Sequence, residues 1–131
     1  MTRQKSGRLT ESELEVMQVM WDLDGATVRQ VHEVLSERRQ VAYTTIMTII
    51  NILEGKGYLR RSSREGRAYV YEPVRPKAEV IASLVDDFVG RVLEGSARPL
   101  VAGLVQRKKL SKGDLEAITR MIEEIEEADE P

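Results

Sequence analysis

The sequence of 131 residues contains no cysteine and a single histidine, His32. Without thiols there is no disulfide, no thiolate zinc site and no cysteine nucleophile, and the composition fits a reducing compartment. One imidazole cannot build a metal site alone, so His32 reads as a solvated or capped side chain without a chemical role. No carboxylate pair and no nucleophile with a base stands at a useful spacing, and Gly55-Lys56-Gly57 is too short to cradle a phosphate. Apolar runs are far too short to cross a bilayer. Residues 1–10 carry Arg3, Lys5 and Arg8 with no apolar segment behind them, which is not the pattern of a secretory signal. These absences lead to the expectation of a cytoplasmic protein that is not an enzyme, takes no cofactor or metal and does not insert into a membrane.

What is present suits a folded chain: 41% of residues are hydrophobic and 32% charged. The length accommodates a small reading domain with a helical appendage. Net charge is −2, but the signs are unevenly placed. Residues 1–75 carry 12 Lys and Arg against 10 Asp and Glu, whereas residues 76–131 carry 8 against 12, so the basic character is at the front. Arg60, Arg61, Arg64 and Arg67 fall within eight residues and make the positive field local.

The front half reads as three helices and a hairpin. Thr10-Glu11-Ser12-Glu13 has the form of a capping box and opens an apolar series, Leu14, Met17, Val19, Met20 and Leu23, with Trp21 as a core residue, ending near Asp24-Gly25. Glu11, Glu15 and Asp22 give this helix an acidic face that phosphate would repel. Thr27-Val28-Arg29-Gln30 is a second capping box, and Val28, Val31, Val34 and Leu35 carry its helix to about Arg38. The third helix starts near Ala42 or Tyr43 and buries a stripe of Ile46, Ile49, Ile50 and Leu53. Its other face presents Tyr43, Thr44, Met47, Thr48 and Asn51. Threonine is a poor choice for a solvated helix, but hydroxyls, an amide and an apolar side chain are the groups that read base edges. Gly57 offers a left-handed cap. Residues 58–62 and 68–72 have strand composition, residues 63–66 supply the turn, and Pro73 stops the second strand. Helix, turn, Thr-rich helix and arginine-bearing ribbon is the order of a winged helix-turn-helix, with Arg60, Arg61, Arg64 and Arg67 placed to grip phosphates or enter the minor groove.

In the back half, Pro76 begins a long helix with an apolar stripe at Val80, Ile81, Leu84, Val85, Phe88, Val89, Val92 and Leu93, ending at Gly95. Pro99, Leu100, Val101, Leu104 and Val105 suggest a short helix. Ser111-Lys112-Gly113-Asp114 caps a last one bearing Leu115, Ile118, Ile122 and Ile125, whose residues 123–130 form an acidic, solvated end. Three short helices with wide apolar stripes need a partner surface. Self-association through Leu84, Val85, Phe88, Val92, Leu100, Leu104, Leu115, Ile118, Ile122 and Ile125 supplies it, the alternative being a bundle folded onto the front domain. The expectation is a mainly α chain with one small β-hairpin, a winged-helix domain over residues 1–75 and a helical dimerisation domain over residues 76–131.

The stretches Val28-Arg29-Gln30-Val31, Ala42-Tyr43-Thr44-Thr45-Ile46-Met47-Thr48 and Gly66-Arg67-Ala68-Tyr69-Val70-Tyr71, with the opening Leu9-Thr10-Glu11-Ser12-Glu13-Leu14-Glu15-Val16-Met17 and Trp21, closely resemble the penicillinase-repressor (BlaI/MecI/CopY) family of bacterial transcription regulators. The resemblance covers nearly the whole chain. It implies a homodimer on double-stranded operator DNA with dyad symmetry, repressing beta-lactam resistance or related stress genes. In the beta-lactam branch it further implies a membrane sensor protease, or a protease downstream of it, and a cut in the dimerisation region between Asn and Phe. The corresponding place here is Gly103-Leu104, a departure from that pattern. The paired cysteines of the copper-responsive branch are missing, which excludes thiolate copper sensing. A winged-helix protein-interaction adaptor without specific DNA binding is the alternative reading, disfavoured by the threonine strip and the arginine hairpin. A regulator controlled by a small ligand is a third, but the apolar stripes enclose no convergent polar set.

Overall fold

The computed structural model describes residues 8–129. Arg3 and Lys5 of the basic N-terminal stretch and Glu130 of the acidic end lie outside the described residues. The chain divides into two compact units, one up to Ile81 and one from Ala82 onward.

The first unit is built on caps that the sequence announces. In α1 (Glu11–Leu23) the Thr10 N–H donates to Glu13 Oε1 at 3.0 Å and the Glu13 N–H donates to Thr10 Oγ1 at 3.1 Å, closing the box. Residue Asp24 turns left-handed at φ 55°, and the Gly25 N–H reaches the Met20 carbonyl at 3.1 Å, which ends the helix. Gly25 itself sits at φ 107°, and a Cβ there would lie 3.1 Å from the Tyr71 carbonyl oxygen. Glycine is needed for that close approach, because the next residue, Ala26, pairs with Tyr71 through two backbone hydrogen bonds of 2.9 Å. Helix α2 (Val28–Ser36) has the same box between Thr27 and Gln30. It stops two residues before the expected Arg38, because the chain folds into a turn over residues 37–39. Helix α3 (Tyr43–Gly55) starts without a side-chain cap and ends with the Gly57 N–H on the Glu54 carbonyl and the Tyr58 N–H on the Leu53 carbonyl, with Gly57 at φ 87°. This is the glycine-terminated helix end expected from Gly55-Lys56-Gly57.

The core gathers Val16, Met17, Val19 and Met20 from α1, Val31 and Leu35 from α2, and Ile46, Ile50 and Leu53 from α3. Tyr58, Leu59, Tyr71 and Val80 close it. Each fully buried aliphatic contributes about 1.5–3 kcal/mol. Ile49, expected in the buried stripe, is only half-buried, since the stripe is centred on Ile46, Ile50 and Leu53 and Ile49 falls at its edge. Trp21 is likewise half-buried rather than core: its indole N–H donates to the Arg75 carbonyl at 3.1 Å, so the ring lies at the margin, where its one polar atom finds a partner.

Strands β1 (Leu59–Glu65) and β2 (Ala68–Pro73) pair antiparallel. The turn is Gly66-Arg67, not residues 63–66, so the first strand runs three residues further than its composition suggests. Gly66 alone has positive φ, 63°, as the first residue of a two-residue II′ turn requires. Pro73 belongs to β2, opposite Leu59 at the end of the ladder, where it forfeits no inner hydrogen bond. The register slips between Arg61 and Ser63, leaving Ser62 as a bulge whose hydroxyl donates to the Val70 carbonyl at 3.1 Å.

Helix α4 (Lys77–Val92) starts in the first unit, where Val80 is 1% exposed. Helices α5 (Arg98–Gln106) and α6 (Lys112–Asp129) follow. Only α5 is short; α4 has 16 residues and α6 has 18, because no proline interrupts either apolar stripe. Ser111 and Asp114 exchange hydrogen bonds of 2.9 and 3.1 Å at the start of α6. None of the described residues from Ala82 onward is buried. Leu84, Leu100, Leu104 and Ile118 are half-buried within the single chain, whereas Val85, Phe88, Val92, Leu115, Ile122 and Ile125 remain exposed, Ile125 by 62%. Among the described residues no helix is long and apolar enough to cross a membrane.

Candidate nucleic-acid interface

At about 100° per residue, the exposed side of α3 carries three rows. Tyr43, Met47 and Asn51 lean toward the hairpin and line a cleft with Arg61, Arg67 and Tyr69. Thr44 and Thr48 form the next row and are exposed. Thr45 and Ile52, both exposed, make the third. Ile52 at 42% exposure is an apolar group of the kind that touches a thymine methyl, and an aliphatic residue in a helix this apolar is easily assigned to the core from sequence.

The turn that presents α3 is held by His32. Its Nε2 lies 2.8 Å from the Val41 carbonyl and 3.2 Å from Ser36 Oγ, and its ring meets Tyr43 edge-on at 5.6 Å. The residue read as a bystander therefore braces the entry to α3 and the first side chain of its exposed face. Nothing in the local sequence signals this, because Val41 is nine positions away. At the far end, buried Glu13 accepts from Lys56 Nζ at 2.7 Å, and the same ammonium donates to the Arg8 carbonyl at 2.9 Å.

The four hairpin arginines differ in their surroundings. Arg60 pairs with Glu72 on the opposite strand, its Nε donating at 2.6 Å. Arg61 Nε lies 3.2 Å from Glu54 Oε2 on the last turn of α3, and its guanidinium stacks 4.3 Å from the centre of the Tyr69 ring. Burial disfavours the Arg61 cation, but Glu54 and then Tyr71 outweigh it and the pKa is raised. Arg64 lies 4.7 Å over the same Tyr69 ring. Among the described residues neither Arg64 nor Arg67 has an ion-pair partner. The structure thus brings Arg61 and Arg67 into one cleft with Tyr43, Met47 and Asn51, sets Arg64 at its edge through Tyr69, and ties Arg60 to Glu72 instead.

Arg29, at the start of α2, lines the same cleft with its side chain 79% exposed. In the sequence it sits inside a capping box whose bonds involve only Thr27 and Gln30, so nothing local marks it as a cleft residue. Away from the cleft, Arg39 donates to Glu15 on α1, and this hydrogen bond holds the Glu15 carboxyl below its usual range. The cleft therefore offers cations and exposed hydroxyl, amide and methyl-bearing groups side by side. Among the described residues no cluster of metal-ligating side chains occurs.

The sequence profile of a family described as "Penicillinase repressor" matches residues 9–124. A transcriptional regulator of Mycobacterium tuberculosis named BlaI is 36% identical over 124 residues, covering 93% of this chain and 88% of its own length. The penicillinase repressor of Bacillus licheniformis is 28% identical over 120 residues, with 92% and 93% covered. Among solved structures, the DNA-binding domain of the repressor BlaI is 31% identical and superimposes with a TM-score of 0.52 over 59% of this chain and 93% of its own.

Proposed function

The chain belongs to the penicillinase-repressor family, whose members are transcriptional repressors and not enzymes, and from that premise we propose that it binds an operator of two-fold symmetry as a homodimer and represses the adjoining genes. The observation that carries the reading is the cleft in which an exposed α3 face meets a cationic hairpin. Tyr43, Thr44, Met47, Thr48 and Asn51 read base edges in the major groove, while Arg64 and Arg67 of the hairpin hold the backbone by reaching phosphate directly. The second unit supplies the dimer: six of its apolar side chains, Val85, Phe88, Val92, Leu115, Ile122 and Ile125, are left exposed by a single chain. Linking two readers multiplies affinity through effective concentration. Such a protein acts in the cytoplasm, and beta-lactam resistance or related stress genes are its proposed targets.

Release follows from parting the two readers. Gly103-Leu104 lies inside α5, nine residues long and without a buried side chain. So short a helix is marginal alone, and it can unwind into the extended form a protease requires. A membrane sensor protease, or a protease downstream of it, is the proposed agent; a repressor that stays whole in induced cells overturns this route.

Binding to the duplex upstream of the protein's own gene, measured by fluorescence anisotropy against a scrambled duplex across a salt series, tests the function. Two chains per duplex and a clear preference are expected. Asn51→Ala should relax that preference, whereas Arg67→Ala should weaken both duplexes alike and lower the salt slope by about one. Equal, weak binding of both duplexes by the unaltered protein overturns recognition at this site and favours a protein-interaction role.

A further inference from the structure

We propose that Arg61 is a positioning residue, not a phosphate contact: it locks the hairpin to α3, so that the base-reading face and the hairpin tip meet DNA as one rigid surface. The inference rests on the reading of this cleft as a DNA-binding site.

Three observations converge on it. Arg61 spans two elements, with Nε 3.2 Å from Glu54 Oε2 on α3 and its guanidinium 4.3 Å from the Tyr69 ring and 6.0 Å from the Tyr71 ring on β2. Its charge is already opposed by a carboxylate, so moving to a phosphate would strand Glu54 beside a polyanion. The third observation is the bulge. In a regular strand side chains alternate, and Arg61 and Arg64, three positions apart, would face opposite ways. Ser62 is the extra residue, so Arg61 pairs with Tyr71 and Arg64 with Tyr69, and both guanidiniums come over the one Tyr69 ring. The ion pair and the two stacks run Glu54, Arg61, Tyr69, Arg64 without a break from the end of α3 to the edge of the tip. The ion pair is half-exposed and each link is weak alone. What the chain of links supplies is a defined distance between the α3 face and Arg64, on which simultaneous groove and backbone contacts depend.

The test separates position from charge. Arg61→Met, Arg61→Lys and Glu54→Gln are compared with Arg67→Ala on the upstream and scrambled duplexes over a salt series, with amide hydrogen exchange of residues 63–69 in the free protein as a readout independent of DNA. Positioning predicts a roughly tenfold loss of preference for the upstream duplex in all three Arg61 and Glu54 variants, with the salt slope unchanged and faster exchange at the tip. Lysine should not rescue, because it keeps the charge but loses the planar stack. A slope reduced by about one in Arg61→Met, with Arg61→Lys restoring it, identifies a phosphate contact and overturns the proposal. So does wild-type exchange at the tip in Arg61→Met, or tighter binding of both duplexes by Glu54→Gln. If the unaltered protein does not discriminate between the duplexes, the DNA reading and Arg61's role in recognition both fail, while the exchange data still decide whether Arg61 locks the hairpin.

Discussion

Several side chains of the first unit join segments that lie far apart in the sequence, Glu13, Glu15, Trp21 and His32 among them. Glu13 is 5% exposed, yet it completes the Thr10 box and receives the Lys56 ammonium from the end of α3. Replacing it with glutamine leaves a buried polar network partly unsatisfied. Urea unfolding of Glu13→Gln should give a loss of about 1–3 kcal/mol. Glu15 has a different signature, because its link to Arg39 depresses its pKa. A depressed carboxylate contributes stability above the ordinary glutamate value of about 4.5, and that contribution fades as pH falls through the lower folded value. Glu15→Gln should therefore be less stable than the unaltered protein at neutral pH, and the difference should shrink below about pH 4.5. A difference that persists unchanged at about pH 3 counts against the linkage.

Each element shows where local rules hold and where packing overrides them. Both capping boxes form as the residues direct, since a cap needs only partners three positions apart. The hairpin obeys its turn chemistry at Gly66 but departs from regular alternation at Ser62. Helix α5 is the weakest element by this measure: it has no side-chain cap, no buried residue and an interior glycine, Gly103, where an added methyl group would meet nothing within 4 Å. Gly103→Ala should stabilise the helix by about 0.5–1 kcal/mol. If Gly103-Leu104 is the proposed cut, the same substitution should slow proteolysis of the purified protein between α4 and α6, with the fragment masses reporting the site. Cleavage at an unchanged rate and at another bond would remove this helix from the release mechanism.

For the molecule as a whole, the two units differ in how much they settle alone. The first encloses a set of fully buried side chains, whereas the second leaves its apolar side chains half-buried or exposed. Exposed apolar area on this scale is ordinarily covered by association. Phe88→Asp, at a side chain 42% exposed in the single chain, should convert a dimer to monomers in sedimentation equilibrium. It should weaken binding to the upstream duplex by about 10²–10⁴-fold through lost avidity, while the fold of the first unit, followed by Trp21 fluorescence, stays unchanged. A monomeric unaltered protein, or a Phe88→Asp dimer, overturns the proposed interface.

Much of this architecture was legible in the residues because the signals are local. Thr10, Thr27 and Gly57 mark helix ends through bonds that span five residues or fewer. The period of Ile46, Ile50 and Leu53 marks a buried face, and the run of arginines before Gly66 marks a charged ribbon. The mainly α fold with one hairpin and the membership of a repressor family follow from such signals. What had to await the folded chain depends on residues far apart. Trp21 meets Arg75 across 54 positions, and Lys56 reaches Glu13 across 43. Arg61 finds Glu54 on another element, and Ser62 shifts Arg64 to the face of Tyr69. Periodicity reports only which side of a helix or strand avoids water. It carries no information on which carboxylate stands opposite a given arginine, because that choice is made by the packing of α3 against the hairpin.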